Sequence, residues 1–367
     1  MNLLLIWQDM IGKSMINQIN QELFYNLSYP DLEKIMATWN QPAYRVQQIW
    51  QGVYQKLWNT PDQFSSIPKL LREKLFTFYN FSSLSPVKTI SSQDKETIKT
   101  LFTLDDNNAI EAVLMKYDQR RTLCISTQAG CAMGCVFCAT GQMGFKRHLN
   151  SGEIIEQVLY YARELAKFDE KVTNIVLMGM GEPFHNYDST LKAIDLLNDQ
   201  RGFGLGARRF TISTVGLVPM IRKFADEDRQ INLAISLHAT TNEERSSLLP
   251  VNKRYPIEQV LEACRYYVEK TKRRVTFEWA LIAGKNDSES TARQLAHLLR
   301  GLLCHVNVIP LNPTSQSVYQ PSSKEQTKLF QQILDQNGIP CTIRLRRGID
   351  IQAGCGQLAV KVSENRI

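Results

Sequence analysis

From Arg121 onward the chain alternates strand-like and helix-like segments in one steady rhythm, and that rhythm narrows the possible folds more than any other feature. Strand patterns are expected over 121–127, 173–178, 209–213, 231–237, 275–281 and 305–309. Helical patterns are expected over 152–166, 190–198, 218–225, 257–270, 288–300 and 323–336. Parallel strands need a long crossover between them, and a helix of this length supplies one. The expected fold class is therefore α/β: a (βα)6 partial TIM-like barrel with the helices outside. A flat doubly wound sheet is the alternative. In both, ligands bind at the carboxyl ends of the strands.

The first of these strands runs into Cys131-Ala132-Met133-Gly134-Cys135-Val136-Phe137-Cys138, a C-x3-C-x2-C stretch holding three of the chain's eight cysteines. Thiols at that spacing do not share one face of a helix or strand. They suit a loop wrapped around something, and Gly130 and Gly134 let the backbone turn tightly there. Three thiolates fall one ligand short of a structural zinc site, for which His148 is the nearby candidate. They also fall one short of a [4Fe–4S] cluster, whose fourth iron would then be open to a substrate. The cluster reading is favoured.

Polar groups recur at the other strand ends. Gly179-Met180-Gly181-Glu182-Pro183 follows the second strand, and Glu182 is suited to accept hydrogen bonds from an ammonium group. Ser213 ends the third strand, Ser236-Leu237-His238 the fourth, and Asn312 follows the sixth. Singly, each is an ordinary loop residue or helix cap. Together they ring one mouth, where a cofactor with a ribose, a carboxylate and a base finds partners. Two cysteines stand apart. Cys124 lies on the strand entering the cysteine loop. Cys355 sits between Gly354 and Gly356, near Arg344, Arg346 and Arg347, which suggests an exposed, movable and reactive thiol. Cys264, Cys304 and Cys341 read as packing residues.

Before the barrel, residues 1–88 are expected to form a small helical domain, with a capped start at Ser28-Tyr29-Pro30-Asp31 and an aromatic core. Residues 89–118 hold a β-hairpin, Thr97 to Leu104 and Ile110 to Lys116, turned at Asp105-Asp106-Asn107-Asn108. The barrel is expected over 119–350 and a C-terminal segment carrying Cys355 over 351–367. At 367 residues, 43% apolar and 22% charged, the chain can enclose a cofactor. Its net charge of +7 tilts toward polyanions without identifying one. No export signal or membrane span is read, so a reducing cytoplasmic location and a monomer are expected.

The cysteine loop resembles the signature of radical S-adenosylmethionine (SAM) enzymes. Over nearly its whole length the chain resembles the RlmN/Cfr family of radical SAM RNA methyltransferases. The carrying residues are Glu111, Cys124, Gln128 to Phe145, Gly179 to Pro183, Ile212-Ser213-Thr214, Ser236-Leu237-His238, Asn312 and Gly348 to Leu358. The resemblance implies a [4Fe–4S] cluster on Cys131, Cys135 and Cys138, and SAM held by Gly181, Glu182, Ser213, Ser236, Leu237, His238 and Asn312. It implies that Cys355 takes a methyl from one SAM, and that a second SAM is cleaved to a radical that activates this methyl. Glu111 is then the proton acceptor, and Cys124 attacks the Cys355 sulfur to free the product and leave a disulfide. The implied reaction is methylation at C2 of adenine 2503 in 23S rRNA and of adenine 37 in tRNA, with flavodoxin or ferredoxin as electron donor. Methylation at C8 of the same rRNA adenine is the alternative. Two rivals from other classes are a radical SAM enzyme acting on a small molecule, which would not need Cys124 and Cys355 as a pair, and a zinc-knuckle RNA-binding protein.

Overall fold

The computed structural model describes residues 21–314 and 318–358, and the chain divides into two compact units. The smaller contains residues 21–83 with Arg201–Phe203. It has a two-residue strand β1 (Glu22–Leu23), helices α1 (Tyr29–Thr38), α2 (Tyr44–Tyr54) and α3 (Lys69–Phe78), and β2 (Tyr79–Asn80) parallel to β1. Helix α1 starts where the sequence says it should. Ser28 Oγ accepts from the Asp31 N–H, and Asp31 accepts from the Ser28 N–H, a reciprocal capping box. Phe24, Trp50, Tyr54, Phe64 and Phe81 are buried and meet ring to ring, so these aromatics are core. The short return at 201–203 belongs here because the Arg201 guanidinium lies 3.9 Å over the Tyr29 ring.

The larger unit is built on one ten-stranded sheet. Its strands are β3 (Leu84–Ser91), β4 (Thr97–Leu104), β5 (Ala109–Lys116), β6 (Arg121–Cys124), β9 (Asn174–Leu177), β10 (Phe210–Thr214), β11 (Asn232–Ser236), β12 (Val275–Leu281), β13 (Cys304–Pro310) and β14 (Cys341–Ile343). Between β6 and β9 a separate antiparallel ribbon, β7 (Gln128–Gly130) with β8 (Phe145–His148), brackets the cysteine loop. Helix α4 (Ala139–Gln142) lies within that bracket. Helices α5 (Ser151–Ala166), α6 (Tyr187–Asn198), α7 (Val218–Asp226), α8 (Asn242–Leu248), α9 (Ile257–Thr271), α10 (Glu289–Leu299) and α11 (Lys324–Gln336) fill the crossovers.

Strands β6 and β9 to β14 are all parallel and lie side by side in chain order. A right-handed crossover that always steps in one direction puts every helix on the same face. A doubly wound sheet needs a reversal of strand order, and there is none. The fold is a partial TIM-like barrel, continued on one side by antiparallel β5, β4 and β3.

The strands alternate. Ile212, Leu233, Ile235, Phe277, Trp279, Val306 and Val308 are fully buried, and Trp279 packs on Phe330 of α11. The residues between them, such as Thr211, Ser213, Asn232, Ser236, Thr276, Glu278 and Asn307, face the other way. A closed TIM barrel fills its interior with branched apolar side chains. Here the concave face is small and polar, so it lines a lumen.

Four elements escape the sequence patterns. Strand β3 contains Pro86, which reads against a strand. It is tolerated because β3 is the sheet edge, with a bulge between Pro86 and Lys88. The sheet therefore starts at Leu84, before residue 88, the expected end of the helical domain, and the expected hairpin is a three-stranded meander. Strand β14 is too short to show a period. The strand expected over 121–127 stops at Cys124, and the tract resumes as β7. Helix α8 is short and mostly polar, yet it carries a residue on which the strand ends depend.

That residue is Arg245, whose side chain is fully buried. Its guanidinium donates to the carbonyls of Val215 (2.6 Å), Ser236 (3.1 Å), Leu237 (3.1 Å) and Tyr255 (3.3 Å) and to Asn252 Oδ1 (2.9 Å). It thereby ties the ends of β10 and β11 to the loop after α8. Burial lowers its pKa to about 10. Removing it strands several buried carbonyls at once. Arg245→Met should destabilise the protein by about 2–4 kcal/mol, measured by urea unfolding monitored by circular dichroism.

Candidate active site

The cysteine loop is fixed at both ends by backbone geometry. Gly130 closes β7 with φ +72°, and a Cβ there would lie 1.9 Å from the Gly144 carbonyl oxygen. That carbonyl accepts from the Cys131 N–H at 3.0 Å. Further along, the Val136 N–H donates to Leu248 O, and Cys135 packs with Leu248, Leu249, Ile282 and Leu311. Cys131 and Cys135 are buried and Cys138 half-buried. Burial pushes the Cys131 thiol up to about 12 and raises Cys135 and Cys138 as well; the neighbouring thiols add to it. Thiols in such surroundings become ligands by exchanging a proton for a metal's charge.

Among the described residues no three His, Cys, Asp or Glu side chains converge closely enough for a single ion. A [4Fe–4S] cluster binds each thiolate through a different iron, so its ligands stand further apart. Three thiols on one loop, lining one cavity with no fourth protein ligand beside them among the described residues, are a donor set suited to that group. His148 does not join them; its Nδ1 is 3.0 Å from Gln128 Nε2.

One cavity at the carboxyl ends of the strands is lined by all three cysteines together with Gly181, Glu182, Ser213, Ser236, His238, Asn312 and Cys355. Glu182 is buried, and its carboxylate accepts from the N–H groups of Phe184 (3.0 Å) and Val215 (2.9 Å). Its own N–H donates to Gln128 Oε1 at 2.8 Å. Gly181, at φ +103°, passes so close to Gln128 that a Cβ would sit 2.6 Å from the Gln128 side chain. His238 has φ +62°, and its Nδ1 accepts from the Ala280 N–H at 2.9 Å. Burial lowers its pKa to about 3, so the ring is neutral with its proton on Nε2. Asn312 Nδ2 donates to Cys355 O at 3.3 Å, while its Oδ1 is buried with no hydrogen-bond partner. An orphaned acceptor in a cavity wall is one a bound ligand would satisfy. Leu237 is buried but does not line the cavity; its N–H donates to Glu278 O.

Cys355 belongs to two spaces. It lines the cavity, and it lines an adjoining pocket with Cys124, Arg344 and Asn312. The segment expected to be exposed is half-buried and tied down. The Ala139 N–H donates to Gly356 O at 2.7 Å, Thr140 Oγ1 to Leu358 O at 2.6 Å, and Gln357 Nε2 to Pro313 O at 2.9 Å. Cys124 is buried, and its thiol is pushed up to about 12, chiefly by burial, then by Cys355, with Arg344 opposing. Glu111 is not in the cavity. It pairs with Lys99 at 3.0 Å in a separate pocket with Asp350 and Gln352, and Lys99 Nζ also donates to Gln352 O.

The radical SAM superfamily profile matches residues 125–295. The dual-specificity RNA methyltransferase RlmN 1 of Myxococcus xanthus is 49% identical over 92% of this chain and 94% of its own length. A Chloroflexus aurantiacus protein named "Probable dual-specificity RNA methyltransferase RlmN" is 46% identical over 93% of each chain. The chain belongs to the RlmN family of radical SAM RNA methyltransferases. The crystal structure of a radical SAM methyltransferase from Sphaerobacter thermophilus, 49% identical, superimposes with a TM-score of 0.90 over 92% of this chain and 99% of that one. Membership in the RlmN family implies, in general, a [4Fe–4S] cluster and SAM.

Two residues at the site, Arg245 and Glu278, lie in no motif, and Gln128, which opens the cysteine stretch, had no role of its own assigned. Gln128 orients the Glu182 backbone. Arg245 fixes the strand ends. Glu278 projects from β12 into the lumen, where it accepts from Asn307 Nδ2 at 2.8 Å, and burial raises its pKa. Glu278 left a signal of its own, a carboxylate at an inward position of a strand whose one other polar residue is Thr276.

Two predictions follow from this geometry. Gly130→Ala forces a backbone clash at the loop's base and should cut anaerobic iron incorporation severely, by at least about tenfold, while the far-ultraviolet spectrum stays native. Burial raises Glu182 to about 7 from 4.5. The protonated form is therefore favoured in the folded state. Its stabilising contribution is full below pH 4.5 and is lost as pH rises through 7. Cluster-free protein should lose about 3 kcal/mol across that window from this group, and Glu182→Gln should remove that part of the slope in urea titrations.

Proposed function

We propose that this protein methylates C2 of adenine in RNA, at adenine 2503 of 23S rRNA and adenine 37 of tRNA, through a methyl group carried on Cys355. The observation that carries the reading is the position of Cys355, shared between the cavity of the three cysteines and the pocket of Cys124. The RlmN relatives are named for dual-specificity RNA methylation, and the net charge of +7 suits such a substrate.

Cys131, Cys135 and Cys138 would hold the [4Fe–4S] cluster. Glu182 would accept from the SAM ammonium, Gly181 would let it approach, and Ser213, Ser236, His238 Nε2–H and Asn312 Oδ1 would bond its polar groups. Together these cofactors supply one-electron cleavage of SAM, which an unactivated aromatic C–H requires, with electrons from a donor such as flavodoxin or ferredoxin. Cys355 Sγ would take a methyl from one SAM and, once that methyl is activated, join it to the base. Glu111, held by Lys99 beside the Cys355 segment, would take the ring proton, and the one electron that the radical adduct must also lose would go to the one-electron acceptor that the cluster on Cys131, Cys135 and Cys138 would supply.

Cys124, as thiolate, would then attack Cys355 Sγ. The S–S bond forms as the S–C bond to the base breaks, the electron pair stays on carbon, and that carbon takes a proton to become methyl. The Arg344 guanidinium stands near both sulfurs and opposes the burial that keeps the Cys124 thiol neutral. The resulting disulfide needs an external reductant.

Anaerobic turnover with methyl-labelled SAM on rRNA and tRNA fragments tests the reading. Label at C2 supports it; label at C8, or none on RNA, overturns it. Cys355→Ala should abolish methyl transfer but leave SAM cleavage. Cys124→Ala should accumulate protein covalently joined to RNA, seen as a nuclease-sensitive band in denaturing gels. Normal methylation by Cys124→Ala with no such band would reduce Cys124 to a packing residue.

A further inference from the structure

At the amino-terminal end of the barrel strands the lumen opens into a second, strongly polar cleft. Its wall gathers Arg120, Arg208, Lys272, Arg273, Arg274 and Arg344. These lie before β6, before β10, between α9 and β12, and after β14, so only the sheet's curvature brings them together. Glu278 is the one carboxylate in the lining. Among the described residues none of Arg120, Arg208, Lys272, Arg273 and Arg274 forms an ion pair, whereas Arg121, Arg147, Arg222 and Arg229 elsewhere on this unit all do.

Neutral groups hold the cations in place. Arg273 donates to Gln230 Oε1 at 3.1 Å and to Asn232 Oδ1 at 2.8 Å; Arg208 reaches the same Gln230 oxygen at 3.3 Å. Asn232 is fixed in turn by donating to Arg208 O and Phe210 O. Guanidinium groups oriented by amides keep their full charge and their outward N–H donors. Five clustered cations without counter-charges repel one another, a cost that a polyanion would offset. The cleft and the cofactor cavity also share Met178 and Glu278, so one lumen joins them.

We propose that this cleft binds backbone phosphates of the RNA substrate, centred on Arg208, Arg273 and Arg274, and holds the strand at the opposite end of the lumen from the cysteine loop. This rests on the reading of the chain as an RNA methyltransferase. Phosphate contacts position a nucleic acid without reading its sequence. They also release condensed counterions, so each contact leaves its mark on the salt dependence of binding.

The experiment measures affinity for a fluorescein-labelled RNA stem-loop by anisotropy at several salt concentrations. It compares the full-length protein, Arg208→Gln/Arg274→Gln, and the triple variant adding Arg273→Gln. The double variant leaves the Arg273 amide network intact, so it reports even where the triple variant fails to fold. The slope of log affinity against log salt should fall by about 0.7–0.9 for each contact removed, about 1.4 to 1.8 for the double variant, with affinity at low salt down at least about tenfold. RNA-independent SAM cleavage should be unchanged. An unaltered slope and affinity would overturn the proposal, as would inorganic phosphate binding that the variants abolish without any effect on RNA. Failure of the unmodified protein to bind or methylate RNA would instead refute the underlying functional reading.

Discussion

Alternation along the parallel strands sets the rest of the molecule. Each strand of the barrel sends one set of side chains outward against the helices and the other set inward. The outward set, Ile212, Ile235, Phe277, Trp279 and Val308 among them, supplies the apolar burial that holds sheet and helices together. The inward set is then free to be small and polar. A sheet packed on both faces would have needed continuous apolar strands and would have closed over its own interior. The lumen exists because stability is drawn from one face only.

Burial also governs the chemistry. Cys131, Cys135, Glu182 and His238 all sit where charge is disfavoured, and each is moved toward its neutral form. The cavity is lined by groups whose charged forms a bound partner would compensate. At the opposite end the arrangement is reversed. Arg208, Arg273 and Arg274 stay in contact with water. The site thus has a dry end suited to a cofactor and a wet, cationic end suited to phosphate.

Much of this was legible in the chain itself. The βα rhythm announced the parallel sheet, and polar residues at successive strand ends announced the mouth. The expected SAM-site residues other than Leu237 do meet at one cavity. What was illegible lay in short or contrary segments: β3 with its proline, the three residues of β14, and polar α8 with Arg245. None has a period long enough to read. Gly354 and Gly356 suggested a free loop around Cys355. The structure instead ties that segment through Ala139, Thr140 and Gln357, contacts made by residues far apart in sequence.

The sequence by itself determined the class of fold, the loop that gathers the cysteines and the residue types at each strand end, because these depend on local spacing and on the two-residue period. Tertiary structure alone decided three further matters. The side-by-side order of the strands made a barrel rather than a doubly wound sheet. The approach of Cys355 to Cys124 and to the cluster loop depends on a segment returning across the whole barrel. Curvature gathered arginines from four separate segments at one cleft. Spacing along a chain cannot encode such meetings, since they depend on how the packed helices bend the sheet that carries them.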